Sequence, residues 1–307
     1  MQIGKNERRI IWAATRSVLE TDTYKRQKKG KSRRYWKFFK GLLKIFIFII
    51  KVVKLYEIGL KNAKNIVINE KDFYFENLPA AFDGYKIMHL SDLHFDTLEG
   101  IENIIAKLIK SQSCDICVIT GDYRKKNTGG VARISEPIQT IVNALQQKDG
   151  IYSVFGNHDS YLMLNPLEKA GINVLPNESL AIKKGNEQIV ITGIDDPHSY
   201  YTDQIVDTIE ESNGEFKILL AHSPEMFREA EKNGYSLYFC GHTHAGQICL
   251  PGGIPLITHL YDGKKFYKGK WQYKKLSGYT SSGCGVSGIP IRFNCIGEVA
   301  ILTLKKK

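Results

Sequence analysis

From Ile66 onward the chain alternates short runs of β-branched and aromatic residues with stretches of helical spacing. The strand-type runs are IVI (66–68), FYF (73–75), YKIMHLS (85–91), ICVITGD (116–122), IYSVFGNHD (151–159), KILLAHSPE (217–225), LYFCGHTH (237–244) and EVAILTL (298–304). Helical spacing is seen at 101–110, 134–147 and 203–211, and again just before 237. Apolar strands alternating with helices predict an α/β fold whose sheet faces are covered by helices. A hairpin is expected over 180–194, turning at Gly185–Asn186, and the late hairpins predict a second sheet. No internal repeat is present.

The first 64 residues follow a different pattern. Residues 21–34 read TDTYKRQKKGKSRR, a basic run without apolar periodicity. The segment that follows is strongly apolar, but its longest unbroken stretch is Ile45 to Ile50, far below the ~20 residues of a spanning helix. On a helix, Lys37, Lys40, Lys44 and Lys51 fall within an arc of roughly 60°, while Phe38, Phe39, Leu42, Leu43, Ile45, Phe46, Ile49, Ile50 and Val53 cover most of the rest. A narrow lysine stripe on an apolar helix suits a membrane interface, with the basic run on anionic headgroups. The expectation is a basic, amphipathic, membrane-associating segment over 1–64, contacting an anionic surface through 21–60, and a catalytic domain over 65–307. Residues 1–20 lack the apolar centre and cleavage site of a secretory signal.

Charge sharpens this division. The chain carries a net +11, yet residues 1–64 hold 18 Lys/Arg against 4 Asp/Glu and the remainder 25 against 28. The larger part is slightly acidic, which disfavours a long nucleic-acid footprint across it. Ordinary globular composition, 43% hydrophobic and 24% charged, excludes disordered, fibrous and multi-span membrane classes. Six cysteines in 307 residues are too few for a disulfide scaffold, and Cys114 and Cys117, spaced C-x-x-C with no second pair nearby, read as structural thiols.

Polar chemistry gathers at the carboxyl ends of the expected strands, where open α/β sheets bind their ligands. The clusters are Asp92-Leu-His94, Gly121-Asp122, Gly156-Asn157-His158-Asp159, His222 and Gly241-His242-Thr-His244, which take five of the eight histidines. Seven candidate ligands without a cysteine exceed one closed tetrahedral site and suggest two divalent ions, with imidazole and carboxylate suiting Mn, Fe or Zn. Two ions ~3.5–4 Å apart need a bridging carboxylate, and Asp122 lies between the two ligand groups in chain order.

The set D-x-H, GD, GNHD, H and GHTH, with TGDY (120–123), LLAHSPE (219–225) and GHTHAGQICLPGG (241–253), resembles the calcineurin-like metallophosphoesterases, in particular their small bacterial, membrane-associated branch. The resemblance covers about 84–304. It implies an αββα sandwich of two mixed sheets flanked by helices. It implies two divalent ions, with manganese expected and iron or zinc as alternatives. By that resemblance Asp92, His94, Asp122 and His244 would hold the first ion, and Asp122, Asn157, His222 and His242 the second. His158 would stay off the metals and protonate the leaving oxygen; Asp159 would orient it, or would cap a helix. Lys125 stands where the family often has a second aspartate, a position that is not the bridge.

Arg124, Lys125 and Lys126 follow the bridging residue and could clamp a second phosphate or lie in a solvated loop. His89 reads as a core histidine, His198 and His259 as loop residues that are surface residues by default and could touch substrate, and 246–282 as a segment that could form a lid. The expected activity is hydrolysis of a phosphodiester or pyrophosphate at the cytoplasmic face of the cell membrane. Its sharp form is the conversion of UDP-2,3-diacylglucosamine to UMP and lipid X, the reaction of one member type of the family. The alternatives are a nuclease or cyclic-nucleotide phosphodiesterase, and a scaffold that keeps the fold without the chemistry.

Overall fold

The structure is a computed structural model describing residues 4–28, 41, 44–45, 47–125 and 130–307. Lys37, Lys40, Lys126 and the basic run from 29 to 34 lie outside the described residues. Two six-stranded mixed sheets form the centre. The first is built from β1 (Ile66–Phe75), β2 (Lys86–Leu90), β3 (Ile116–Ile119), β4 (Ile151–Ser153), β5 (Asn173–Val174) and β12 (Gly297–Lys306), in the order β1-β12-β2-β3-β4-β5. The second comprises β6 (Glu178–Lys184), β7 (Glu187–Gly193), β8 (Lys217–Leu220), β9 (Leu237–Cys240), β10 (Gly269–Tyr273) and β11 (Leu276–Thr280), in the order β10-β11-β9-β8-β7-β6.

The central strands β2, β3, β8 and β9 are buried almost throughout, as parallel strands covered on both faces must be. Alternation then sorts their side chains. Ile87, Ile116, Val118, Ile218, Leu220, Leu237 and Phe239 point between the sheets, while Met88, Leu90, Cys117 and Ile119 face the helices outside the first sheet. That outer layer contains α3 (Ile101–Ile109), α4 (Ser135–Ala144) and α5 (Leu164–Lys169). Ile101, Ile105 and Ile109 recur every four residues, so one face of α3 is wholly buried. Over the second sheet lie α6 (Asp203–Glu211) and α7 (Phe227–Lys232), through Ile205, Ile209, Phe227 and Ala230. The molecule is therefore the four-layer sandwich that the sequence suggested.

Three expectations need adjustment. The two runs 66–68 and 73–75 are one ten-residue strand: β12 pairs with β1 along its whole length, so the exposed Glu70, Lys71 and Asp72 interrupt the hydrophobic pattern but not the ladder. Much of 246–282 is regular: 269–273 and 276–280 are sheet strands held by full antiparallel pairing, and 249–250 pairs antiparallel with 254–255. The apolar helix expected near 37–60 is broken: residues 47–52 are helical, Lys54 turns left-handed with φ 59°, and α2 (Leu55–Lys64) begins afresh.

The first helix, α1 (Lys5–Lys28), belongs to the basic N-terminal segment yet is built into the domain. Trp12 and Arg16 are 2% and 1% exposed. Trp12 stacks on Phe155 with centroids 5.4 Å apart, and Arg9 pairs with Glu168 and Glu178. No apolar periodicity announces this, because the docking is carried by one aromatic ring and a few charges.

Candidate metal centre

Every sequence-predicted ligand sits on the residues that leave a strand carboxyl end, and the two sheets present theirs to one another. Asp92 and His94 follow β2, Asp122 follows β3, Asn157 follows β4, His222 follows β8, and His242 and His244 follow β9. The chain must turn sharply to aim these side chains inward. Asp92, His94, Asp122, His242 and His244 all have positive φ, between 42° and 71°. Non-glycine residues rarely adopt this conformation, and strain of this kind concentrates at functional sites. The loops also pass unusually close. A Cβ on Gly156 would overlap the Asp122 carboxylate, and one on Gly241 would overlap Ser91 and Asp92.

The ligand atoms converge. His94 Nε2 lies 3.1 Å from His244 Nε2 and 3.5 Å from Asp122 Oδ2. His244 Nε2 is 3.3 Å from Asp92 Oδ1, and His222 Nε2 is 3.3 Å from Asp122 Oδ2. Asn157 Oδ1 approaches His222 Nε2 at 3.1 Å and His242 Nδ1 at 3.0 Å. Among the described residues, the donor groups close enough to hold an ion are Asp92–His94–His244 and Asp92–Asp122–His222. Asp92 belongs to both groups, a sharing the sequence assigned to Asp122 alone. Asp122 remains central, since its Oδ2 faces both His94 and His222.

Electrostatics suits cations here. Burial lifts the Asp92 carboxyl to about 6, with His222 opposing and Asp122 reinforcing that rise. Burial lowers His94 to about 4 and pushes His242 and His244 well down, so these rings are neutral and able to ligate. Burial also works against charge on Asp122 and His222, but their mutual attraction wins. Asp122 ends well below the carboxylate range and His222 well above the usual imidazole one. Asp92 Oδ1 and His242 Nε2 are buried without a hydrogen-bond partner. Two imidazole nitrogens facing each other at 3.1 Å beside buried carboxylates fit a pair of divalent cations. The His222 ring is held in place by its Nδ1, which donates to the Thr120 carbonyl at 2.7 Å, the kind of outer contact that orients a metal ligand.

The remaining candidates fall into place around this cluster. The His158 ring centroid is 5.5 Å from that of His94, and its backbone N–H donates to Asp122 Oδ1 at 2.9 Å. Asp159 does not cap a helix; Ser160 does, with its side chain accepting from Leu162 N. The Asp159 carboxylate instead accepts from Asp122 N, Tyr123 N and Gly156 N at 2.7–2.9 Å, tying the β3 and β4 loops together. Arg124, two residues beyond Asp122, is buried, and Lys125 N donates to Asp96 at 2.6 Å. His89 is a core residue as expected, bonded to Thr120 and packed edge-on to Phe239. Cys114 and Cys117 are buried free thiols, as are three of the other four cysteines. His198 lies over the centre, its ring 4.4 Å from that of His242 and stacked on Tyr261, with Nδ1 on Glu225. Sequence reasoning missed Arg16, Trp12 and Asp195, which brace the Asn157 loop from behind; only the buried contacts identify them.

Residues 85–246, more than half the chain, match the model of the calcineurin-like phosphoesterases. The chain belongs to that family. It is 29% identical over 238 residues to the metallophosphoesterase YkuE of Bacillus subtilis, covering 74% of this chain and 82% of the relative. The phosphodiesterase YaeI of Escherichia coli is 27% identical over 251 residues, 78% of this chain and 87% of that one. A zebrafish (Danio rerio) transmembrane protein with a metallophosphoesterase domain is 27% identical, covering 85% of this chain and 62% of its own length. Among solved structures, the NAD nucleotidase of Haemophilus influenzae aligns over 65% of this chain and 50% of that one, with 17% identity and a TM-score of 0.43. The protein is a metal-dependent hydrolase of the phosphoesterase class, and its family works with two metal ions.

Proposed function

We propose that the protein hydrolyses a phosphodiester or pyrophosphate bond in an amphiphilic substrate at an anionic membrane surface. The observation that carries this reading is the position of the ligand cluster beside an exposed apolar surface. Residues 47–56 pack on Ile289 and Ile291 through Ile47, Ile50 and Tyr56, which leaves Ile45, Phe48, Ile49, Val52, Val53, Leu55 and Ile58 between 41% and 67% exposed. The same cluster includes Ile248 and Phe293, and Cys249 N donates to Phe293 O, so the apolar helix adjoins the loop that carries Leu250, Ile254, Leu256, Ile257 and Tyr261. These five are also 49–79% exposed, and Tyr261 stacks on His198 over the centre. Large contiguous apolar surfaces next to lysines mark sites of lipid contact. No helix among the described residues is long and apolar enough to cross a membrane. The lysine stripe on the apolar segment favours an interfacial seat on the cytoplasmic face of the cell membrane over a span.

In this reading Asp92, His94, Asp122 and His244 would hold one ion, and Asp122, Asn157, His222 and His242 would hold the other. Manganese is the first metal to test, with iron and zinc as the alternatives that a mixed imidazole and carboxylate set also suits. When bound, the ions supply Lewis-acid polarisation of the phosphoryl oxygens and activation of water. His158 delivers a proton to the leaving oxygen from beside His94. Asp159 keeps the loops of Asp122 and His158 in register, and Arg124 and Lys125 line the approach for a second phosphate. The sharpest substrate on this reading is UDP-2,3-diacylglucosamine, cleaved to UMP and lipid X. The name of the E. coli relative supports diesterase chemistry in general. The test compares turnover of UDP-2,3-diacylglucosamine with that of bis-p-nitrophenyl phosphate while Mn²⁺ is titrated into chelator-treated protein. Metal-dependent hydrolysis of both supports the reading. Hydrolysis of the chromogenic diester alone moves the substrate to another amphiphile or to a nucleotide, and no hydrolysis of either overturns the diesterase and pyrophosphatase reading.

A further inference from the structure

We propose that Arg16 is a positioning residue for the loop that carries Asn157 and His158, and that α1 is the strap through which it acts. The proposal rests on the hydrolase reading above for its catalytic consequence, but the contacts stand alone. Arg16 Nη2 donates to Gly156 O at 2.8 Å and to Asp159 O at 3.0 Å. These carbonyls lie on either side of Asn157 and His158. The carbonyl between them, Asn157 O, accepts from the Tyr200 hydroxyl at 3.4 Å, and the Arg16 guanidinium lies over the Tyr200 ring at 3.4 Å. Arg16 thus holds two carbonyls of the loop directly from one nitrogen, and the Tyr200 ring beneath it holds a third.

The rest of α1 extends the grip. Glu20, one turn further on, accepts from Ser160 Oγ at 2.8 Å and from Tyr161 N at 2.9 Å. Trp12, one turn earlier, stacks on Phe155 and donates from Nε1 to Asp195 at 2.8 Å. Asp195 in turn pairs with Arg16. A helix contacts a surface through residues four apart, and here Trp12, Arg16 and Glu20 occupy that one row. Residues 155, 156, 159, 160 and 161 are therefore held from behind by a helix that enters from a remote part of the chain. The front of the same loop places Asn157 Oδ1 about 3 Å from both His222 and His242. A shift of the loop would open those two contacts and move the His158 ring together. Burial of a fully desolvated arginine on loop carbonyls is a costly arrangement for mere packing, since any apolar side chain could fill the space.

The test uses the full chain with Arg16→Met/Asp195→Asn, a pair that removes the buried charge together with its counter-charge, and with Arg16→Lys alone. Three readouts are taken: amide exchange at Asp122, Tyr123, Gly156 and Tyr161, metal content, and kcat and KM for bis-p-nitrophenyl phosphate with Mn²⁺. In the double variant, exchange should rise at those four amides and stay at parental levels in β8 and β9. The kcat should fall by about tenfold to a hundredfold, the scale set by a displacement near 1 Å, with KM changed less than threefold. Arg16→Lys keeps the charge but has one terminal nitrogen where Arg16 uses Nη1 on Asp195 and Nη2 on both carbonyls, so it cannot occupy both places and its kcat should fall between those of the parent and the double variant. Parental exchange in the loop, or parental kcat in both folded variants, would overturn the proposal. If the double variant fails to fold, Arg16→Lys decides by the same two measures. If the parent itself lacks phosphoesterase activity, the hydrolase reading fails while the exchange data still judge the strap.

Discussion

Asp122 concentrates the chemistry of the centre in one carboxylate. Its Oδ2 lies 3.5 Å from His94 Nε2 and 3.3 Å from His222 Nε2, and its Oδ1 accepts the His158 N–H. Asp122→Asn keeps the shape and the acceptor but removes the charge. Elemental analysis should show metal content below that of the parent, with turnover lost and the fold intact; unchanged stoichiometry and rate would exclude Asp122 as the shared ligand. His158→Ala should retain the metals and slow turnover by roughly 10²–10⁴-fold, the usual worth of a general acid. The loss should be greater for an alkyl leaving group than for p-nitrophenolate, which leaves without a proton, and equal losses would assign His158 to binding instead. His89 gives a pH test away from the ligands. Burial lowers it from its ordinary 6.5 to about 3. The unfolded chain takes up a proton below 6.5 that the folded state refuses until about 3, so stability falls as pH drops through that window. One proton corresponds to about 1.4 kcal/mol per pH unit. Denaturant unfolding of chelated parent and His89→Gln at pH 7, 6 and 5 should show a shallower fall in the variant by up to that slope.

At the scale of elements, the legible features were those written as local patterns. The D-x-H, GD, GNHD and GHTH clusters could be placed at strand ends because the strands before them are unbroken apolar runs, and the structure brings their side chains together. The pattern that predicts a hairpin over 180–194 is equally local; the observed strands run 178–184 and 187–193, with all seven residues of each paired across Gly185–Asn186. What escaped the sequence depends on partners far along the chain. The continuity of β1 comes from β12, more than 200 residues away, and overrides three polar residues. The docking of α1 comes from Arg16, Trp12 and Arg9 meeting Asp195, Phe155 and Glu178, and charged residues on a basic segment read first as solvent-facing. The role of Asp159 was split between orienting His158 and capping a helix. Its three backbone bonds show a third use that only the closeness of the two loops makes possible. Gly156 records that closeness, so Gly156→Ala should displace the Asp122 carboxylate and lower metal content even though alanine suits most backbones. Parental metal content in Gly156→Ala would show that the loops can separate without cost to the site.

For the whole molecule, charge and apolar surface are unevenly divided. The positive excess lies in the first 64 residues, while the remainder, which holds the metal centre, carries 25 Lys/Arg against 28 Asp/Glu. The exposed apolar residues of 45–58 and of 250–261 adjoin through the Ile248, Ile291 and Phe293 cluster and border the centre at Tyr261. A surface bearing anionic lipid would attract the basic segment over about a Debye length, ~10 Å at 0.1 M salt, and the apolar residues would then enter the interface. This order of events separates two contributions to binding. Raising salt should weaken partition onto phosphatidylglycerol vesicles through the first, and leave a salt-resistant remainder through the second. Leu256→Glu/Ile257→Glu, which alters two side chains 60% and 51% exposed, should reduce that remainder while hydrolysis of soluble bis-p-nitrophenyl phosphate stays at the parental rate. If each side chain contributes about 1.4 kcal/mol, within the range for partial burial of a large aliphatic group, partition should fall about tenfold per residue. Hydrolysis of a vesicle-borne substrate should fall with it. Unchanged vesicle binding in this variant would confine the lipid contact to the N-terminal segment and remove the 250–261 loop from the membrane face. Complete release of the parent by salt alone would leave electrostatics as the whole attraction and exclude insertion of either apolar element.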